Sequence, residues 1–399
     1  MSVNKYSFPW RQSNQFTLLI DGESFYPPML QAIENAKYYL FLEMYLVESG
    51  HVATRFIDAL IHAAARGVNV YLLFDAYGAL RLHKQDRYRL QQYHNIKLVF
   101  YNPLHLNTWH QNLLRDHRKL LLVDGELAFT GGTGISDEFD KDAMKGKHWR
   151  ETVVAIRGEC VQDWYAVFVR SWARWSGESL SPLAPEVAPL LHAHCTGRVV
   201  ISPIRGRREV RRSLVNHIRH TQHRIFIATA YFVASRKLRR ALRQAARRGI
   251  DVRLLLPGPR IDHPAIRHVA RRFYLRLLRS GVRIFEYQPR FLHSKVMMCD
   301  DWVSIGSSNI DRWNLRWNLE ANQEIHDVAF SSQVETMFHE DFSHCLEITY
   351  ENWRRRNYYT RLLEWFWGKI DRRFAKLHPT AREQAVLPGS AMHDSDDDK

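Results

Sequence analysis

Two segments of the chain, HRKLLLVD at 117–124 and HSKVMMCD at 293–300, share one spacing: a histidine, a lysine two residues on, and an aspartate five residues after the lysine. Side chains alternate between the faces of an extended strand, so His117 and Lys119 share one face, and His293 and Lys295 likewise. Such a pair suits phosphate. The lysine offers a fixed positive charge for non-bridging oxygens, while neutral imidazole can attack phosphorus or carry a proton near pH 7. A single occurrence would be read as a half-buried histidine beside a surface lysine; two occurrences in matching surroundings reverse that reading.

The surroundings do match. Each strand is followed by a turn of small residues, GGTG at 131–134 with Gly131 and Gly132, and GSSN at 306–309 with Ser308 and Asn309. Backbone N–H groups and short polar side chains in such turns hold phosphate oxygens. A carboxylate comes next in both, Glu151 in WRETVVAIRG and Glu320 in WNLEANQEI. A carboxylate bonded to one ring nitrogen of a histidine fixes its tautomer and stabilises the imidazolium formed during proton transfer. An ordinary ion pair is the competing reading, more so for Glu151 than for Glu320.

The elements that must position these groups are themselves duplicated. FIDALIHAAARG near 60 runs into VNVYLLFDAYG, and LRRALRQAARRG near 240 runs into IDVRLLLPGPR: an amphipathic helix, an Arg-Gly stop and an apolar strand in each case. Another apolar strand precedes each, YYLFLEMYL at 38–46 and RIFIATAYF at 224–232, and KLVFYNP or VRIFEYQP leads on to the histidine strand. The alternation predicts an α/β protein of two lobes, each a mixed sheet flanked by helices, related by a pseudo-twofold axis. The expected division is 1–180 and 181–350, each with one His-Lys motif, then a segment 351–399. SGESLSPLAPEVAP at 176–189 reads as the linker.

Length and composition agree. A chain of 399 residues, 45% apolar and 25% charged, can bury two cores. Lys and Arg exceed Asp and Glu by 57 to 42, a net charge of +15, which favours anionic partners. The four cysteines, Cys160, Cys195, Cys299 and Cys345, form no CxxC pair, which argues against a zinc site or disulfide scaffold, and Cys299 falls in an expected buried strand. The polar N-terminus and the lack of any run near the ~20 apolar residues of a membrane span predict a reduced, cytoplasmic-side protein without signal peptide.

Arginine is dense from Arg205 to Arg279, which gives either a cationic membrane-facing surface or a solvated helix face. Without base-stacking motifs it does not point to nucleic acid. NWRRRNYYTRLLEWFWGKIDRRFAKL at 352–377 suits an interfacial helix with Trp365, Phe366 and Trp367 in the headgroup boundary, or a helix docked on the second lobe; the acidic tail after it is expected to be disordered.

HxKxxxxD followed by GG or GSxN, twice in one chain, resembles the phospholipase D superfamily. More narrowly, HRKLLLVDGELAFTGG (117–132) and GSSNIDRWNLRWNLEANQEIHD (306–327) are similar to bacterial cardiolipin synthases, especially the B type without N-terminal transmembrane helices. The resemblance covers roughly residues 12–345. It implies transfer of a phosphatidyl group from one phosphatidylglycerol to the glycerol hydroxyl of another, through a phosphohistidine, with no metal or cofactor, on the cytoplasmic side of a bacterial cell membrane. It further implies that His117 is the nucleophile and His293 the acid, or the reverse, that both lysines with Ser308 and Asn309 bind phosphate, and that Asp124 and Asp300 support the motifs. Two departures stand out: Gly134 replaces the asparagine of the first turn, and the spacer from Asp300 to Gly306 is one residue shorter than that from Asp124 to Gly131. The rival functions are a hydrolase or nuclease of the same superfamily, transfer to another alcohol, and a non-enzymatic membrane scaffold.

Overall fold

The computed structural model describes residues 6–104, 112–180, 194–202, 209–311, 317–356 and Trp367. The first half contributes β1 (Arg11–Ile20), β2 (Tyr39–Met44), β3 (Asn69–Asp75), β4 (Ile96–Tyr101), β5 (Arg115–Asp116), β6 (Lys119–Val123), β7 (Leu127–Gly131) and β8 (Thr152–Gly158). The second contributes β9 (Cys195–Ser202), β10 (Arg224–Ala228), β11 (Asp251–Pro257), β12 (Arg283–Tyr287), β13 (Val296–Cys299), β14 (Trp302–Gly306), β15 (Asn318–His326) and β16 (Cys345–Ile348).

Outward from a central β1/β9 contact, the strands run β8, β7, β6, β2, β3, β4 on one side and β15, β14, β13, β10, β11, β12, β16 on the other. Apart from β16 and the short β5, which pairs with β15, the two halves repeat one order, which is the expected pseudo-twofold relation. One feature differs from expectation. The lobes do not own separate sheets, because β1 and β9 pair antiparallel (Arg11 with Gly197, Asn14 with Cys195) and fuse both into one.

Helices cover both faces of the sheet. The helix His51–Ala65 buries Val52, Phe56, Leu60 and Ala63 at three- and four-residue spacing and gives way to Gly67 at φ 93°. In the second half, Arg236–Arg247 is capped by the Ser235 hydroxyl, which accepts from the Leu238 N–H, buries Leu238, Ala241, Leu242 and Ala245, and gives way to Gly249 at φ 91°. These helices and their neighbours enclose one apolar core in each half. A third core is shared: Phe16, Trp164 and Trp172 of the first half pack in one cluster with Val303, Phe330 and Phe338 of the second.

The hairpins after the histidine strands explain the unequal spacers. Val123 pairs with Leu127 across a three-residue turn, whereas Cys299 pairs with Trp302 across two residues. Cys299 lies in a buried strand, as expected, and all four cysteines are free.

The arginine-rich stretch does not form one uniform cationic surface. Arg267 and Arg253 are committed to Glu286 and Asp251, each at 2.6 Å, while Arg236, Lys237, Arg240 and Arg247 stay exposed. Of the aromatic segment 352–377, Trp353 is buried against Tyr274 with ring centroids 4.8 Å apart. The rest of it beyond Arg356, Trp367 excepted, lies outside the described residues, as do linker positions 181–189 and the acidic tail. Among the described residues no helix is long and apolar enough to cross a membrane.

Candidate active site

Backbone pairing between the halves builds the site. The His117 N–H donates to the Leu319 carbonyl at 3.0 Å, and the His293 N–H to the Arg150 carbonyl at 2.9 Å. Leu319 immediately precedes Glu320, and Arg150 immediately precedes Glu151. Each histidine therefore receives its carboxylate from the opposite half. His117 Nδ1 lies 3.1 and 3.2 Å from the two oxygens of Glu320, and His293 Nδ1 lies 2.5 Å from Glu151 Oε2. With Nδ1–H donated to a carboxylate, Nε2 of each ring is left for bond formation or proton transfer.

The lysines lie against the same rings. Lys295 Nζ is 2.8 Å from His293 Nδ1 and 3.4 Å from Glu151 Oε2, and Lys119 Nζ donates to the His117 carbonyl at 2.5 Å and sits 5.0 Å from the centre of the Tyr45 ring. Burial and then the neighbouring ammonium groups disfavour the imidazolium: His293 is held down to about 4 and His117 well below its usual range. Before a phosphate binds, both rings are therefore neutral at pH 7, as the nucleophile must be. The carboxylates are unequal. Burial raises Glu320 to about 8 in spite of Lys119, whereas Lys295 and the His293 hydrogen bond outweigh burial and hold Glu151 below its ordinary value.

Small residues make room for these carboxylates. A Cβ on Gly132 would come within 2.3 Å of Glu151 Oε2, so only glycine lets that glutamate reach His293. The equivalent position in the second half is Ser307, whose hydroxyl donates to Glu320. Ser308 and Asn309 are buried beside it, and Ser308 Oγ and Asn309 Nδ2 have no hydrogen-bond partner among the described residues, leaving donors for phosphate oxygens. At Gly134 an added Cβ would meet Leu46 at 2.8 Å; the leucine takes the room an asparagine would need. Gly131 abuts the Thr152 carbonyl and serves the β7–β8 pairing.

Asp124 and Asp300 stand apart from the reacting groups. At φ 50° each closes its hairpin, Asp124 accepting from the N–H groups of Lys37, Tyr38 and Tyr39 and Asp300 from those of Gln222, His223 and Arg224. They pin the start of β2 and β10 to the histidine strands. The sequence reading missed a further support behind His117: Arg118 is buried with Glu43 at 2.6 Å and Asp116 at 3.0 Å. It also missed Ser307, although the GSSN turn contained the signal.

His117, Lys119 and His293 open into one cavity of about 530 Å3, otherwise lined largely by apolar and aromatic residues from both halves, with Trp367 among them. Two His-Lys pairs, each completed by a glutamate from the other half of one sheet, define a two-motif phosphodiester-transfer enzyme of the phospholipase D class.

Comparisons with known proteins narrow the class. The family model of the cardiolipin synthase phospholipase D-like domain matches residues 29–172 and again 214–342. The cardiolipin synthase of Alkalihalophilus pseudofirmus is 31% identical over 359 residues, covering 88% of this chain and 71% of the relative. Cardiolipin synthase A of Pseudomonas putida is 33% identical over 352 residues, covering 86% and 72%. Among solved structures, phosphatidylserine synthase of Haemophilus influenzae superposes with a TM-score of 0.71 over 92% of this chain and 96% of its own, at 16% identity, a likeness of fold. The chain belongs to the cardiolipin synthase family of phospholipase D-like phosphatidyltransferases. Assignment to the B type rests on the motif resemblance alone.

Proposed function

We propose that the chain joins two phosphatidylglycerol molecules into cardiolipin and releases glycerol through a phosphatidyl-histidine. With the phosphodiester anion bound beside it and Glu151 on Nδ1, His293 takes up a proton and enters the reaction as an imidazolium; His117 Nε2 attacks phosphorus, the bond from phosphorus to the headgroup glycerol oxygen breaks, and His293 gives its Nε2 proton to the leaving glycerol. A terminal hydroxyl of the second phosphatidylglycerol then attacks phosphorus, returns its proton to His293 and breaks the P–N bond. Glu320 and Glu151 stabilise the positive charge that each ring gains in turn, and Lys119 and Lys295, with Ser308 and Asn309, hold the non-bridging oxygens.

The observation that carries this reading is the cross-half pairing of each histidine with a glutamate, beside a largely apolar cavity. A nucleic acid would need a cationic groove along its backbone; the wall here is largely aliphatic and aromatic, as a lipid requires. We place the protein peripherally on the cytoplasmic face of a bacterial membrane, with exposed Arg236, Lys237 and Arg240 available to anionic headgroups. The test is incubation with mixed micelles of phosphatidylglycerol and, separately, with a labelled oligonucleotide. Cardiolipin and glycerol in equal amounts are expected. Cleaved oligonucleotide without cardiolipin would overturn the reading.

A further inference from the structure

The cavity wall is uneven in chemistry. From the first half it receives Leu46, Phe139 and Trp149, while one corner on the second half gathers the polar side chains Tyr231, Asp262 and His263. The Tyr231 hydroxyl donates to Asp262 Oδ2, and His263 Nε2 lies 3.7 Å from the same oxygen. The Tyr231 ring centre is 6.5 Å from that of Phe291, which is 5.7 Å from His293. This corner is thus one ring removed from the acid histidine, and the charge of Asp262 is felt at both His293 and Lys295. None of the three residues belongs to either motif, and no step above uses them.

A phosphatidyl-histidine faces two competing acceptors, water and an alcohol. Water is always present in excess, so transfer prevails only where the protein spends binding interactions on the alcohol. A glycerol headgroup carries two adjacent hydroxyls. A carboxylate accepts from both at once, and a phenol or imidazole can answer a hydroxyl as donor or acceptor.

We propose that Tyr231, Asp262 and His263 form a polyol subsite that seats the glycerol headgroup of the acceptor lipid beside His293, so that the covalent intermediate is released to an alcohol rather than to water. The inference rests on the reading in the preceding subsection. The seated hydroxyl oxygen bonds to phosphorus as the P–N bond breaks, and its proton goes to His293. Loss of the subsite leaves the seat to water, which yields phosphatidic acid by the same balance. These are positioning residues, and their signature is product partition rather than overall rate.

The experiment uses the full chain, phosphatidylglycerol in mixed micelles, and the variants Asp262→Ala, Asp262→Asn and Tyr231→Phe. The ratio of cardiolipin to phosphatidic acid is measured, together with the preference for added 1,2-propanediol over 1-propanol as acceptor. The ratio is expected to fall about tenfold in Asp262→Ala and less in the two conservative variants, and the diol preference to shrink in step. Should Asp262→Ala fail to fold, Tyr231→Phe, which keeps the ring, still reads the partition. Unchanged ratio and diol preference in active variants would overturn the proposal and leave the trio a structural tie between the segment after β10 and the β11 to β12 connection. A wild-type chain that makes no cardiolipin would sink the preceding functional reading instead, while the added alcohols would still report on the subsite.

Discussion

With Nδ1 of each histidine committed to a glutamate, the two residues most open to test are those carboxylates. Glu151→Gln removes a charge and Glu320→Gln a carboxyl that ionises as His117 becomes cationic, so both lose the stabilisation of imidazolium while leaving phosphate binding to the lysines. Turnover is expected to fall about 10- to 100-fold in each with KM little changed; unaltered turnover in either would contradict the pairing. A pH effect belongs at the same scale. Burial brings the Lys119 ammonium down to about 7 against the pull of Glu320, so in the free enzyme its charge is present below that value and lost above it. A bound phosphate favours the charged form. KM for phosphatidylglycerol is therefore expected to rise from about pH 6 to about pH 9, and Lys119→Arg, which stays charged, to flatten the rise. The residues that the fold gathers around the cavity were legible in the sequence, down to Glu151 and Glu320. Which glutamate serves which histidine was not, because that depends on Leu319 and Arg150 meeting strands from the other half, and no local spacing records it.

Among the elements, the histidine hairpins depend on two aspartates whose carboxylates do no chemistry. Asp124 is buried, accepts from three backbone N–H groups and holds φ 50°. Replacement by alanine strands those donors and strains the turn, so Asp124→Ala is expected to lower stability by about 2–4 kcal/mol, read from the urea midpoint. A loss under about 0.5 kcal/mol would show that water satisfies the donors equally well. The sequence revealed the motif spacing and the shorter second spacer, since a two-residue hairpin drops one residue from the count. It could not reveal why Gly134 stands where an asparagine was expected: Leu46, the neighbour that forbids a side chain there, is 88 residues away and reaches the turn only in the folded sheet.

For the whole molecule, the duplication announced two lobes, but the β1/β9 seam and the shared core make them one body. Neither edge strand carried a mark of pairing with the other, and burial of Phe16 with Phe330 is a property of the assembled sheet. The halves are accordingly expected to unfold together, in one calorimetric transition rather than two, and Trp164→Ala is expected to shift that single transition by about 3–5 kcal/mol, since it empties the shared core and leaves Gln323, bonded to the indole at 2.9 Å, without its partner. Two separated transitions would contradict the shared core. The central claim, that both halves complete one site that works through a covalent phosphatidyl-histidine, is tested most directly by peptide mass spectrometry after brief incubation with phosphatidylglycerol and an alkaline denaturing quench. Given a phosphatidyl donor with a p-nitrophenol leaving group, which departs without a proton, the His293→Ala variant forms the intermediate but has no base to release it and is expected to carry a phosphatidyl adduct on His117, and His117→Ala to carry none. An adduct confined to His293 would exchange the two roles; cardiolipin formation by the wild-type chain with no adduct on either histidine in any variant would contradict the account.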